Sequence, residues 1–218
     1  MIIVTGGAGF IGSNLISYLN KNGITDIIIV DDLTNGKKGL NLSNIEFLDY
    51  IDKNQIFDFL RGLDENIVDT IFHLGACSST KEWNGKYLME NNYEYSKKLI
   101  NWCQNNGCSF IYASSAATYG LGKNGFKEVK DCESPINMYG ISKLILDNYV
   151  RKNASSFTSQ VVGLRYFNVY GSKELHKKDM ISPIHRFSKQ ILSNNLCEVF
   201  GEYEGVKGGQ HMRDFVYV

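Results

Sequence analysis

Tyr139 and Lys143 stand four residues apart in the run MYGISK. On a helix that spacing puts both side chains on one face. An ammonium beside a phenol favours phenolate, so Lys143 is expected to lower the Tyr139 pKa from its usual value of about 10. Tyr139 would then serve as a general base or acid for a hydroxyl proton. Upstream, Ser114 and Ser115 follow the apolar run that ends at Ala113. The C-terminal end of such a strand is where ligands sit in open α/β sheets. A hydroxyl there can bond the reacting oxygen. Ser115 is the favoured residue for that part, with helix capping as the competing role, strongest for Ser114.

A second constellation lies at the start of the chain. Gly6, Gly9 and Gly12 form G-x-x-G-x-x-G directly after the apolar run MIIVT. Glycine takes dihedrals that other residues avoid and leaves no side chain where a pyrophosphate approaches the backbone. The helix expected from about Phe10 aims its first N–H groups at that phosphate, and Gly12 allows close helix–strand packing. Asp31 ends the next apolar run and can accept hydrogen bonds from ribose hydroxyls, which by itself favours NAD. Lys37 and Lys38 follow closely and can neutralise the 2′-phosphate of NADP; a solvated basic turn is the competing reading.

These residues need a scaffold of alternating elements. Strands are expected at 1–5, 27–30, 45–48, 70–74, 110–113 and 160–165, and helices after the glycine turn, at 53–61, at 91–105 and at 138–152. Nearly continuous apolar strands between helices predict a Rossmann-type, doubly wound α/β fold with a parallel sheet covered on both faces. After Gly171 the sequence turns polar and basic, with one further helix expected at 183–194 and a glycine-rich stretch beyond. The expected division is a dinucleotide-binding domain over 1–170 and a partial substrate-binding region over 171–218. The last run, RDFVYV, reads as an apolar strand with nothing after it. The expectation is a shortened chain with an incomplete small C-terminal substrate domain and weak turnover.

Composition narrows the function. Lys plus Arg equals Asp plus Glu at 23 each, so no overall basic field is available to hold nucleic acid. The five cysteines (Cys77, Cys103, Cys108, Cys132 and Cys197) form no CxxC pair, and the four histidines are dispersed. That pattern suits a reducing cytoplasm and gives no metal-ligand spacing. The opening residues lack the basic start and long apolar run of a signal peptide, and no stretch suits a membrane span.

TGGAGFIGSN at 5–14, the Ser-Ser-x-x-x-Tyr-Gly pattern at 114–120, Tyr139-x-x-x-Lys143 and RYFNVYG at 165–171 together resemble the extended short-chain dehydrogenase/reductase family. That family contains sugar-nucleotide epimerases, dehydratases and decarboxylases. Over essentially the whole chain, stretches such as those at 75–97 and 171–183 resemble its ADP-heptose epimerase branch, which serves lipopolysaccharide biosynthesis. The resemblance implies an NADP-dependent isomerase of carbohydrate metabolism, with an ADP-heptose as substrate and a homo-oligomeric state. It also tips the cofactor reading to NADP, with NAD still possible, because relatives use NADP despite an acidic residue at the position of Asp31.

The resemblance assigns further roles. Phe10 and Ile11 would line the pyrophosphate turn. Asp31, Asp32, Lys38 and Lys53 would meet the adenosine end of the cofactor. Gly75, Ala76, Cys77, Ser78 and Ser79 would run along it, with Asn92 on the following helix. Ser115, Tyr139 and Lys143 match the catalytic group, and Lys143 would also hold the nicotinamide ribose. Val169 is implied as a cofactor contact, and Asn168, Lys177 and Asp179 as the substrate and second-base region. Phe200, Gly201, Glu202, Tyr203 and Arg213 would hold the ADP portion of the substrate. By itself Lys177 reads as a solvated loop lysine; the match through HKKDM makes it the second acid/base.

There are departures from the pattern. Gly75 replaces a glutamate, Asp179 replaces a serine, and Arg186 stands where a histidine contacts the nucleotide, with His185 just before it. The segment between Tyr203 and Arg213 is slightly long. Other readings are a different sugar-nucleotide epimerase or dehydratase, or an inactive nucleotide-binding remnant. A dehydratase would carry an acid pair after Ser115, where this chain has Ala116 and Ala117.

Overall fold

A computed structural model describes residues 1–64, 66–203 and 205–218, with the backbone alone for Lys178 and Asp179. The chain divides into two compact units, Met1–Tyr166 and Phe167–Val218. The first is a six-stranded, all-parallel sheet in the order β3-β2-β1-β4-β5-β6. Its strands are β1 (Ile2–Thr5), β2 (Ile27–Asp31), β3 (Asp49–Asp52), β4 (Thr70–His73), β5 (Ser109–Ser115) and β6 (Val161–Tyr166). The helices are α1 (Phe10–Lys21), α2 (Ile56–Arg61), α3 (Gly85–Leu88), α4 (Tyr95–Asn105) and α5 (Met138–Asn153), with a π-helical segment, Met89–Glu94, joining α3 to α4.

The central strands β1 and β2 are buried on both faces and read as unbroken apolar runs, β4 and β5 alternate buried with half-buried residues, and the edge strands β3 and β6 are more open. Along β1 and β2, Ile3, Ile28 and Val30 enter one core with Leu99, Ile100 and Leu146, and Val4, Ile27 and Ile29 enter a second core with Ile16 of α1. Order reverses between β1 and β4, so the crevice at the C-terminal ends of those two strands is the expected ligand position.

Three expected elements are displaced. The third strand is Asp49–Asp52, not 45–48. Ile45 and Phe47 do pack on the second core, but from irregular chain, and pairing with β2 begins only at Asp49. Apolarity there reports burial rather than strand geometry. The helix expected at 53–61 begins at Ile56 because Asp52 to Gln55 form a turn, closed by the Gln55 N–H on the Asp52 carbonyl. The helix expected at 91–105 begins at Gly85, where the Asn84 side chain accepts from the Tyr87 N–H and caps it.

The second unit contains β7 (Asn168–Tyr170) paired in parallel with β8 (Phe215–Tyr217), a 3-10 turn at Leu175–Met180 and α6 (Pro183–Asn194). Pro183 opens α6 behind Ser182, whose hydroxyl accepts from the His185 N–H. Pro suits a first turn because its missing N–H would find no partner there.

Packing at the first turn is tight. A Cβ on Gly12 would lie 2.3 Å from the Gly6 carbonyl oxygen. Gly12→Ala is therefore expected to cost about 1–3 kcal/mol, the range for overpacked sites. A fall in the urea midpoint would register it; an unchanged midpoint would show that α1 can withdraw from β1.

Candidate active site

The crevice between β1 and β4 opens into a cavity of about 200 Å³. Thr5 and Gly6 enter it from β1, Val30, Asp31 and Asp32 from β2, and Gly75, Ala76 and Cys77 from the loop after β4. Lys38 and Lys53 close one side. Tyr87, Asn91 and Tyr95 complete the wall, and sequence reading did not select them. Their four-residue spacing was the available signal, masked because the helix was expected to start only at 91.

Gly6 has φ +70°, and a Cβ there would lie 2.6 Å from the Gly75 nitrogen. Gly9 precedes α1 without a side-chain cap. A 12-residue helix thus begins beside a backbone cradle, the arrangement that receives a pyrophosphate. These features fit a dinucleotide. Phe10 itself is buried, and Ile11 is partly exposed.

At the β2 end, the Asp31 carboxylate accepts from the Ala8 N–H at 2.8 Å, the Asp32 N–H at 2.7 Å and the Lys38 ammonium at 2.5 Å. Lys53 pairs with Asp32 at 3.1 Å. Hydrogen bonds from Thr34, and then from Lys53, hold the Asp32 carboxyl well below the usual carboxylate range. The two acids and two lysines thus form two ion pairs in one wall.

Buried polar chains hold this wall in place. Ser96 Oγ donates to the Asn92 carbonyl at 2.6 Å, so its oxygen is free to accept from His73 Nε2 at 2.8 Å. That assigns the neutral His73 tautomer with its proton on Nε2. Nδ1 then accepts from Thr5 Oγ1 at 2.6 Å, and Thr5 Oγ1 accepts from the Gly75 N–H at 3.2 Å. Burial is the main cause that drops the His73 pKa to about 3, with Lys143 adding to it. Asn92 is fully buried in the π-helical segment. Its amide binds both the N–H and the carbonyl of Cys77 at 2.9 Å and reaches Ser142 Oγ at 3.0 Å. Its grip on the cavity therefore runs through Cys77. Ser78 and Ser79 do not line this cavity.

Helix α5 aligns with β5 through Lys143, whose Nζ donates to the Ala113 carbonyl at 2.8 Å. Ser114 Oγ donates to Asp147 at 2.9 Å, whereas the Ser115 hydroxyl hydrogen-bonds the Tyr139 phenol. The two serines thus separate: one ties strand to helix, and the other meets the phenol. Ser115 Oγ also accepts from the Ala117 N–H at 3.1 Å, so it caps the following turn as well.

The expected fall in the Tyr139 pKa is not found. Burial raises it, and only the Ser115 hydrogen bond pulls it down. The i,i+4 spacing put the two residues on one helix, but Lys143 is not among the groups that act on the phenol, and desolvation of the phenolate decides the direction. Lys143 is itself brought down to about 8 by burial, with Asp147 and Cys77 opposing.

The second unit has its own polar and aromatic cluster. Phe200, Gly201, Glu202, Tyr203, His211 and Arg213 line a cavity of about 260 Å³. The guanidinium groups of Arg186 and Arg213 lie 5.0 and 5.6 Å from the Phe200 ring centre. His211 was not selected from sequence. Asn168 Nδ2 donates to the Asp214 carbonyl at 2.9 Å, and Val169 pairs with Val216. Lys177 sits on the 3-10 turn, and burial lowers its pKa against the opposing charge of Glu174. The side chains of Asp179 and Lys178 lie outside the described residues. Among the described residues, no group of three His, Cys, Asp or Glu side chains is placed to hold a metal ion, and no helix is long and apolar enough to cross a membrane.

The profile of the NAD dependent epimerase/dehydratase family matches residues 2–218. An ADP-L-glycero-D-manno-heptose-6-epimerase from Alkalilimnicola ehrlichii is 51% identical over 220 residues, covering 100% of this chain and 68% of its own length. The crystal structure of the Helicobacter pylori ADP-L-glycero-D-manno-heptose-6-epimerase has a TM-score of 0.83 at 33% identity, over 99% of this chain and 68% of that one. A UDP-N-acetylglucosamine 4-epimerase from Methanobrevibacter ruminantium follows, with a TM-score of 0.82 at 30% identity and the same coverage.

The His73 chain has a pH signature. Its folded pKa, about 3, lies below the ordinary 6.5. Unfolded chain therefore binds a proton in that window that folded chain does not. The stabilisation from a neutral His73 is complete above pH 6.5 and is lost as pH falls toward 3. Urea midpoints measured across this window should decline, and His73→Gln should flatten the decline by one proton. An equal slope in the variant would mean that His73 protonates freely in the fold.

Proposed function

The chain belongs to the NAD dependent epimerase/dehydratase family, and we propose that it inverts C6 of an ADP-bound glyceromanno-heptose by transient oxidation and re-reduction. Its relatedness to the 51%-identical heptose epimerase supports that substrate. The single structural observation carrying the reaction is the Ser115–Tyr139–Lys143 group on β5 and α5, in which Ser115 hydrogen-bonds the Tyr139 phenol and Lys143 is anchored on the Ala113 carbonyl.

A secondary carbinol carbon has no acidic hydrogen, so direct deprotonation is too costly. Oxidation to a ketone removes the stereocentre, and reduction from the opposite face inverts it. NAD(P), when bound, supplies the hydride acceptor and then the donor. The protein supplies positioning and proton transfer. Burial keeps Tyr139 as a neutral phenol, suited to giving a proton to the carbonyl oxygen during reduction. In the oxidative direction it is the deprotonated fraction of Tyr139, its own proton already released to solvent, that takes the hydroxyl proton and returns to the neutral phenol, and the Ser115 hydroxyl hydrogen-bonds that phenolate. Lys143, as an ammonium, would hold the nicotinamide ribose.

Lys177 is the second acid/base in this reading. A lysine pKa is normally about 10.4, and burial lowers it in the direction a neutral base requires. The exocyclic ketone can turn about its bond to the ring, presenting its oxygen first to one acid/base and then to the other. The unit Met1–Tyr166 binds the cofactor, and Phe167–Val218 contributes to substrate binding, with the aromatic and arginine cluster around Phe200 taking the ADP portion. Asp31, Asp32, Lys38 and Lys53 set the cofactor choice, and NADP is preferred because either lysine can turn from its aspartate to a 2′-phosphate. The enzyme works in the cytoplasm, where sugar nucleotides and NAD(P) are available. It is a homo-oligomer, a reading supported by the exposed Leu192, Leu196 and Val199.

Titration of cofactor-stripped protein should show tighter binding of NADP than of NAD, and Lys38→Ala should weaken NADP more. Equal or tighter NAD binding would end the NADP assignment while leaving the fold untouched. In an epimerisation assay with ADP-heptose, Tyr139→Phe and Lys177→Met should each reduce net inversion by about 100-fold or more, the scale of general acid–base catalysis, while cofactor is retained. Near-parental turnover by Lys177→Met would return Lys177 to a structural role.

A further inference from the structure

Helix α5 carries more than the tyrosine and lysine. Tyr139, Lys143, Asp147 and Arg151 recur every four residues along it and so share one face. Two charges from other elements stand between them. Arg165 of β6 reaches Asp147 with Nε at 3.0 Å and a terminal nitrogen at 2.9 Å, and it also pairs with Glu133. Arg151 closes the series on Glu133 at 2.6 Å. From the surface inward the signs alternate: Arg151, Glu133, Arg165, Asp147, Lys143. Arg151 is half-exposed, whereas Glu133, Asp147 and Lys143 are buried.

We propose that Asp147 is a positioning residue that acts through Lys143, holding the active-site ammonium in its charged form as the innermost anion of this ladder. The proposal rests on the reading that Lys143 works in the cofactor site. Asp147 is the acid next along the face from Lys143, and its oxygens are fixed by the Tyr112 hydroxyl at 2.8 Å and the Ser114 hydroxyl at 2.9 Å. Together with the Arg165 guanidinium, these two hydroxyls fix where the carboxylate sits. The other titratable groups on these elements are weaker sources of charge. His73 on β4 is neutral, with a pKa of about 3, Tyr139 on α5 is a neutral phenol, and Tyr112 on β5 is raised by burial. Cys77, after β4, opposes the loss of the ammonium less than Asp147 does. Arg165 partly neutralises Asp147, so the two residues bias Lys143 in opposite directions.

The test is the pH dependence of NADPH affinity, read by nucleotide fluorescence across the alkaline range. Affinity should fall as Lys143 loses its proton, near its pKa of about 8. Lys143→Met should abolish the fall. Asp147→Asn keeps the shape but loses the charge, and it should move the fall to lower pH by about one pH unit. Arg165→Gln should move it to higher pH, and this variant also serves if Asp147→Asn does not fold. Ser114→Ala and Tyr112→Phe remove hydrogen bonds but no charge at neutral pH, and should leave its position nearly unchanged while lowering the thermal midpoint. Opposite displacements in the two charge variants establish the ladder, because loss of packing alone has no sign. A fall lost in Lys143→Met but unmoved in the charge variants overturns the proposal and leaves the site reading standing. A fall that survives Lys143→Met overturns both.

Discussion

The ends of β1 and β4 approach so closely that backbone meets backbone. Gly6 lies against Gly75, where a Cβ on Gly6 would be 2.6 Å from the Gly75 nitrogen. Most of the site follows from that contact. It turns the chain left-handed at Gly6, brings Gly12 onto the Gly6 carbonyl and starts α1 beside the crevice. A side chain at either position would push the helix from the strand and fill the place where a pyrophosphate must lie. The glycine at 75 is part of the same fit: a Cβ there would come within 3.1 Å of the Gly6 nitrogen.

Such a contact needs both loops held, and the protein holds them with buried polar groups rather than with more apolar surface. The Thr5–His73–Ser96 chain ends on the Gly75 N–H, and Asn92 grips both polar groups of Cys77. Each neutral hydrogen bond adds only about 1 kcal/mol net, whereas an orphaned buried partner costs about 1–3 kcal/mol. Their main effect is therefore positional: any shift of the loop leaves a buried donor or acceptor unpaired. The π-helical segment belongs to this device. Its wide turn carries Asn92 inward to Cys77 and Ser142 while adjacent Asn91 lines the cavity.

Charge at the proposed catalytic pair, Tyr139 and Lys143, is governed by burial as well. Desolvation opposes phenolate at Tyr139 and ammonium at Lys143, so both groups are pushed toward neutrality. A hydride-transfer enzyme benefits from a phenol that gives up its proton only to a correctly placed base, because stray proton exchange is suppressed. Buried ion pairs such as Arg165 with Asp147 and Glu133 are weak sources of net stability. Their placement along α5 fits a role in fixing position and charge better than one in holding the fold.

Much was legible in the residues alone. The alternation of apolar runs and amphipathic stretches determined a parallel α/β sheet, because central strands such as β1 and β2 are covered on both faces. The glycine spacing determined the first turn, because Gly6 takes a positive φ and Gly12 has no room for a Cβ against the Gly6 carbonyl. Four-residue spacing put Tyr139 and Lys143 on one helix face. Tertiary structure decided what depends on distant partners. It decided which serine meets the tyrosine, because Asp147 takes Ser114 and leaves Ser115 to the phenol. It decided that Tyr139 is raised rather than lowered, because spacing says nothing about desolvation. It placed β3 at Asp49–Asp52, because strand pairing is set by the neighbouring strand and not by local apolarity. It also brought Tyr87, Asn91 and Tyr95 into the cavity wall, since which face of a helix meets a ligand is set by what packs against its other side.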